Sequence, residues 1–295
     1  MLHCNTLLDI RQRVNEALPA PGVDRFLELP TGPMRVRMHG ADGGKLAIGV
    51  PGLSANCFTF NVLGPAVAEL GRTLAAVDLR GRGRSAPGKT GSHGWASHAR
   101  DVLAVADALG AQRFDFIGHS MGAFVGLSLM AIAPMRVRSL VLIDAVGVPD
   151  PRAMPPIMGA AQRLGAVYPS VDAFLALVKG IGVVPWDPFW EAHYREDLVE
   201  TDGGVRQRAS RDAVVEDLQY AASTDVRALW HHAVAQTLLV RAGHPFAPGA
   251  DIITTADRDA FLKVAPRAKA VEVPANHYGV MNHPHTARAV QELLT

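Results

Sequence analysis

Cysteine is scarce: the 295 residues hold two, Cys4 and Cys57. Two thiols do not build a disulfide framework, and the pattern fits a reducing compartment. An excess of one charge is also missing, since 29 Lys and Arg face 28 Asp and Glu for a formal net charge of +1. Without a basic surplus no nucleic-acid partner is expected. No apolar run reaches the roughly 18 to 20 residues that cross a bilayer, so no membrane span is expected. The opening stretch MLHCNTLLDIRQRVNEALPAPG carries charges throughout and lacks the apolar run and small-residue cleavage site of a secretory leader. Neither an internal repeat nor a low-complexity tract is present. These absences lead to the expectation of a cytoplasmic protein, monomeric or homodimeric, that acts on a small molecule.

What is present is apolar. Hydrophobic residues make up 48% and charged residues 19%, enough for a large core and too little charge for a disordered chain. Residues 6–17 read as a short amphipathic helix. RFLEL and MRVRMH alternate as half-buried strands do, with the turn PTGP between them. KLAIGV, RTLAAVDL, RFDFIG and SLVLIDAV then follow as apolar strands separated by helical stretches. Continuous apolar strands alternating with helices predict a mostly parallel sheet covered on both faces. The alternation breaks over 148–230, where Pro-punctuated helical pieces replace strands. It resumes with QTLLVRAG and KAVEVPAN. The predicted organisation is one α/β domain, 1–147 with 231–295, carrying a helical insertion at 148–230.

Within this pattern one pentapeptide carries chemistry. Gly-His-Ser-Met-Gly, residues 118–122, sits between the strand RFDFIG and an apolar helix. A strand-to-helix turn this sharp strains the serine backbone and brings neighbouring chain close, and glycines on either side relieve the crowding. It raises the Ser120 hydroxyl at the C-terminal edge of the sheet, where open α/β sheets bind ligands. The helix N-terminus beneath it suits an oxyanion, with the N–H of Met121 as one donor. The plainer alternative is a helix-capping serine after a glycine-rich turn. The strand-before, helix-after context favours the nucleophile. A serine hydroxyl needs a base within reach and a group to orient that base, in the chain order serine, acid, histidine. Adjacent His231 and His232 point to different sides of a helix, a poor metal arrangement. No metal and no cofactor are expected.

With GVPGLSAN after an early strand, VDLRGRGRS, GHSMGA, LVLID and ANHYGVMNHP near the C-terminus, the chain resembles the α/β-hydrolase superfamily, and within it the capped esterase, lactonase, epoxide-hydrolase and haloalkane-dehalogenase-like enzymes. The likeness spans nearly the whole chain from about residue 25. Its epoxide-hydrolase and dehalogenase members use an aspartate nucleophile, where this chain has Ser120. The resemblance implies the α/β-hydrolase fold with residues 148–230 as a cap. It also implies acyl transfer, with a carboxylic ester or lactone of a small hydrophobic substrate as the expected target. It places the base at His277, ahead of His283, which opens the last helix. The usual acid position after QTLLVRAG is taken by Pro245 and Phe246, which leaves Asp144, after SLVLI, with Asp251 as the alternative and Asp257 behind both. Relatives often carry His-Gly-x in the early loop, and here Pro51-Gly52-Leu53 makes Leu53 the second oxyanion donor. The arginines of RGRGRS are expected to brace loops rather than bind phosphate. Phe58, Phe124, Met154, Trp186 and Trp190 are the candidates for an apolar substrate pocket. Two other functions stay open. One is C–C bond hydrolysis of a ring-cleavage product, for which Arg152 and Arg195 are candidate carboxylate holders. The other is a non-catalytic ligand receptor on the same fold.

Overall fold

The computed structural model describes residues 22–295. The helix expected over 6–17 and Cys4 lie outside them. Ten strands are present: β1 (Val23–Leu29), β2 (Gly32–His39), β3 (Lys45–Val50), β4 (Arg72–Val77), β5 (Phe114–His119), β6 (Val137–Ile143), β7 (Leu198–Thr201), β8 (Gly204–Gln207), β9 (Gln236–Ala242) and β10 (Ala268–Val273). Among the described residues nine α-helices accompany them: α1 (Leu63–Ala68), α2 (Trp95–Ala108), α3 (Met121–Ile132), α4 (Met154–Gln162), α5 (Val171–Ile181), α6 (Pro188–Glu196), α7 (Arg211–Ser223), α8 (Thr255–Val264) and α9 (Pro284–Leu294). Eight strands form one sheet in the order β1-β2-β4-β3-β5-β6-β9-β10. The β1–β2 hairpin is antiparallel, as is the β2–β4 pairing. Every other pair in that sheet is parallel.

The period-two alternation of the strands divides the core into two layers. Leu140 and Leu142 of β6 join the cluster that includes α2, α3 and α8. Val141 and Ile143 join the opposite cluster with α1 and α9. Burial on both faces is why these strands read as unbroken apolar runs. The chain reverses direction across the sheet at β3. It steps to β4 on one side and later to β5 on the other. A crevice opens above the strand ends at such a reversal, and the loops after β3 and β5 meet there.

Between β6 and β9 the chain leaves the sheet and forms α4 to α7. The sequence predicts helices alone in this stretch. The structure adds the antiparallel β7–β8 hairpin, Leu198 paired with Gln207 and Thr201 with Gly204. The segment DLVE, read as the end of a helix, is strand from Leu198 onward. The Asp202-Gly203 pair between the strands is a strong hairpin signal and accounts for the difference.

Candidate active site

Ser120 sits between β5 and α3 with φ 54° and ψ −122°, outside the ordinary regions for an L-residue. The turn closes this tightly only because its flanks are glycine. A Cβ on Gly122 would stand 2.1 Å from the Val50 carbonyl oxygen, and one on Gly118 would stand 2.3 Å from the Gly122 carbonyl oxygen. The Ser120 N–H donates to the Ile143 carbonyl at 2.9 Å, which pins the bend to β6.

His277 lies four residues past β10, and its Nε2 is 3.1 Å from Ser120 Oγ. Its Nδ1 is 2.9 Å from Asp144 Oδ2. The carboxylate only accepts, so Nδ1 carries the proton and Nε2 turns a lone pair toward the serine. Asp144 follows β6 directly and is buried. Its second oxygen, Oδ1, accepts from the Ala242 N–H at 2.9 Å, and its own N–H donates to the Val240 carbonyl at 2.8 Å. Two adjacent strand ends thus fix the carboxylate.

The other carboxylates are engaged elsewhere. Asp251 pairs with Arg241 at 2.8 Å and lies away from His277. Asp257 pairs with Arg227 at 2.9 Å. The position the superfamily likeness reserves for the acid holds Phe246, whose ring meets the His277 imidazole edge-on at 5.3 Å. His283 caps α9, accepting from the His285 N–H. His119, inside the pentapeptide, is a further support. Its Nε2–H donates to the His277 carbonyl at 3.0 Å and its ring lies 4.6 Å from the His277 ring. Burial, reinforced by the neighbouring His277, pushes its pKa well below the ordinary histidine value, so it stays neutral.

The loop after β3 lies against the serine, since a Cβ on Gly52 would be 3.3 Å from Ser120 Cβ. The Gly52 carbonyl accepts from Ala55, and the Leu53 carbonyl accepts from Arg82 Nε at 2.9 Å. The Leu53 peptide is thereby held next to Ser120, while Met121 opens α3 with an N–H that has no intrahelical partner. Arg82 also binds the buried Asp217 of α7 at 2.5 Å, and Arg80 binds Asp101 of α2. Both guanidinium groups are consumed internally, and Arg84, the third arginine of the loop, pairs with Glu196 at 2.9 Å.

These residues border a cavity of about 210 Å³ between the sheet edge and the insertion. Phe124, Met154 and Trp190 line it, together with Trp95 and Ile157. Phe58 and Trp186, expected in the pocket, do not. Phe58 lies under the guanidinium groups of Arg35 and Arg37, 5.4 and 4.2 Å from its ring centre. Trp186 stacks on the outer side of Tyr194 at 5.9 Å. Arg163, Phe246 and Tyr278 are among the lining residues that the sequence reading did not place there. Of these only Tyr278 carried a signal, its place beside His277. Among the described residues no group of three or more His, Cys, Asp or Glu gathers as metal ligands would, and no helix is long and apolar enough to cross a membrane.

A family model described as alpha/beta hydrolase fold matches residues 48–170. The crystal structure of E-2-(acetamidomethylene)succinate hydrolase superposes with a TM-score of 0.81 over 92% of this chain and 99% of that one, at 23% identity. The chain has the α/β-hydrolase fold. The chain is 34% identical over 118 residues to a Variovorax paradoxus protein named as the carbamate hydrolase RutD, covering 40% of this chain and 44% of that one. It is 31% identical over 132 residues to the N-formylmaleamate deformylase of Pseudomonas putida, covering 45% and 44%. The alignments span less than half the length of these relatives.

Proposed function

We propose that the protein is a serine hydrolase that cleaves an ester or lactone through an acyl-enzyme. The observation that carries this reading is the unbroken hydrogen-bond chain from Asp144 through His277 to Ser120, ending at a largely apolar cavity. Ser120 Oγ attacks the carbonyl carbon while His277 Nε2 takes its proton. The oxygen that gains negative charge rests between the N–H groups of Met121 and Leu53, each worth roughly 3 to 4 kcal/mol in the transition state. His277 then returns the proton to the leaving oxygen. Water adds to the acyl carbon by the same route in reverse and releases the acid. Asp144 accepts from His277 Nδ1 throughout and holds the imidazole in the tautomer that the first step needs. The helices and hairpin of the insertion serve in this reading as a cap that keeps bulk water from the acyl-enzyme.

Hydrolysis of an acyl C–N bond is the second reading, favoured by the activities in the names of the carbamate hydrolase and deformylase relatives. It uses the same groups, with His277 protonating a leaving nitrogen.

The test is p-nitrophenyl butyrate hydrolysis by the wild type and by Ser120→Ala, with fluorophosphonate labelling followed by mass spectrometry. Turnover by the wild type, a loss of at least about 10³-fold in the variant and a label on Ser120 are the expected outcome. A folded wild type inert to both reagents overturns the reading in favour of C–C hydrolysis or ligand reception.

A further inference from the structure

We propose that Arg163, with the hydroxyls of Tyr194 and Tyr278, forms an anion subsite on the insertion side of the cavity, and that the substrate presented to Ser120 carries a free carboxylate. The bond cleaved rests on the serine-hydrolase reading. The subsite does not.

Arg163 follows α4, is half-buried and lines the cavity shared with Ser120 and His277. Every buried arginine among the described residues holds a carboxylate: Arg35, Arg37, Arg80, Arg82 and Arg241. Arg163 has none within 4.0 Å among the described residues, and its guanidinium donates no hydrogen bond there. A guanidinium that borders a largely apolar cavity without a counter-ion lacks the partner that would offset its partial loss of water. A planar, bidentate carboxylate is the partner its geometry best matches. The exposed Arg152 and Arg195, the sequence candidates for this task, are paired with Asp150 and Glu191 and do not line the cavity.

Two phenols complete the set. The rings of Tyr194 and Tyr278 stand 6.3 and 5.3 Å from the Trp190 ring, and both residues line the same cavity. Neither hydroxyl has a hydrogen-bond partner among the described residues. Burial raises both phenols above the ordinary tyrosine value, and the nearby charge of Arg163 works against that rise. Both therefore remain protonated donors close to Arg163. The Tyr278 ring is 5.6 Å from the His277 ring, so the subsite extends to the reacting centre. The carboxylates of the cavity do not cancel Arg163. Asp217 is bound by Arg82 and His98. Asp197 accepts from Gln207, and burial pushes its pKa up to about 7, which leaves it neutral for a large share of molecules at neutral pH.

The experiment compares monoethyl glutarate with ethyl valerate, two ethyl esters of matched acyl length, in the wild type, Arg163→Gln and Arg163→Lys. In parallel, calorimetry measures glutarate and valerate binding to Ser120→Ala. The expected result is a wild-type kcat/KM about 10- to 100-fold higher for the acidic ester. That ratio falls to about one in Arg163→Gln and is partly restored in Arg163→Lys, and Ser120→Ala binds glutarate more tightly than valerate. A wild type that favours ethyl valerate, or a ratio that survives Arg163→Gln, overturns the subsite. Glutarate binding to Ser120→Ala with no turnover of either ester by the wild type keeps the subsite and removes the serine-hydrolase reading instead.

Discussion

Ser120 and Asp144 are the only non-glycine residues with positive φ among the described residues, at 54° and 47°. Such backbone costs of order 1 to 3 kcal/mol each and persists only where neighbours hold it. Both N–H groups are held by a strand carbonyl, Ser120 by Ile143 and Asp144 by Val240. Strain at two residues joined through one histidine is the pattern of a preorganised site. If Asp144 orients His277, Asp144→Asn lowers kcat by about 10³- to 10⁴-fold by favouring the wrong tautomer. Asp251→Asn, which loosens only an Arg241 contact, changes kcat less than about 2-fold. Steady-state kinetics on both variants, with circular dichroism to show they fold, checks this. Ser120 and His277 were legible in the sequence because each is announced by local context, a strand–turn–helix in one case and a strand followed by Asn-His in the other. The partner of His277 was not legible to a single residue. It depends on how β6 and β9 lie side by side, which brings Ala242 and Asp144 together across 98 positions of sequence.

At the scale of elements, the loop after β4 joins parts that the chain keeps far apart. Arg82 holds the Leu53 carbonyl with one nitrogen and Asp217 of α7 with another. His98 of α2 and the Gly94 N–H also reach the Asp217 carboxylate. Burial works to raise the pKa of Asp217, but His98, Arg82 and Gly94 bring it down to about 2. Removing one partner of a fully buried pair leaves an uncompensated charge, at a cost of roughly 3 to 5 kcal/mol. Asp217→Asn is therefore expected to lower the melting temperature clearly. A double replacement, Arg82→Met with Asp217→Asn, removes both charges, keeps an acceptor for Gly94 and His98, and recovers part of that stability while leaving the Leu53 peptide unheld and turnover low. Thermal unfolding and ester kinetics on the two proteins check the two halves separately. Core strands and helices were readable because each buries a regular apolar pattern. The β7–β8 hairpin was not, because its four-residue strands are too short to show a period beside the helical pattern of α6.

For the whole molecule, acid should be the weak direction. Burial holds His39 and His193 down to about 4, from an ordinary value of 6.5. The unfolded chain then binds more protons than the folded one between those values, so stability falls as pH drops from about 6.5 to 4. The full effect is roughly 3 kcal/mol per histidine. Asp197 acts in the opposite sense. Its folded carboxyl, pushed up by burial, keeps its proton to about 7 while the unfolded one releases it near 3.8, so it costs stability as pH rises between these values. Over the shared window Asp197 masks part of the histidine effect. Melting temperatures followed from pH 7 to pH 4 should fall less steeply in His193→Gln than in the wild type, and more steeply in Asp197→Asn. Parallel curves for all three proteins would show that neither His193 nor Asp197 titrates as its burial requires.

The placement of Asp144 before the insertion has a consequence for synthesis of the chain. Ser120, Met121, Leu53 and Asp144 all precede the insertion, whereas His277 arrives only after β10, at the far edge of the sheet. Under the serine-hydrolase reading, a nascent chain that has already formed the β5 turn holds a serine with nothing to take its proton. It stays inert on the ribosome until the final strand docks. The same order makes the protein a natural split reporter. Two fragments divided within the insertion are each silent, and turnover returns only when β10 adds to β9.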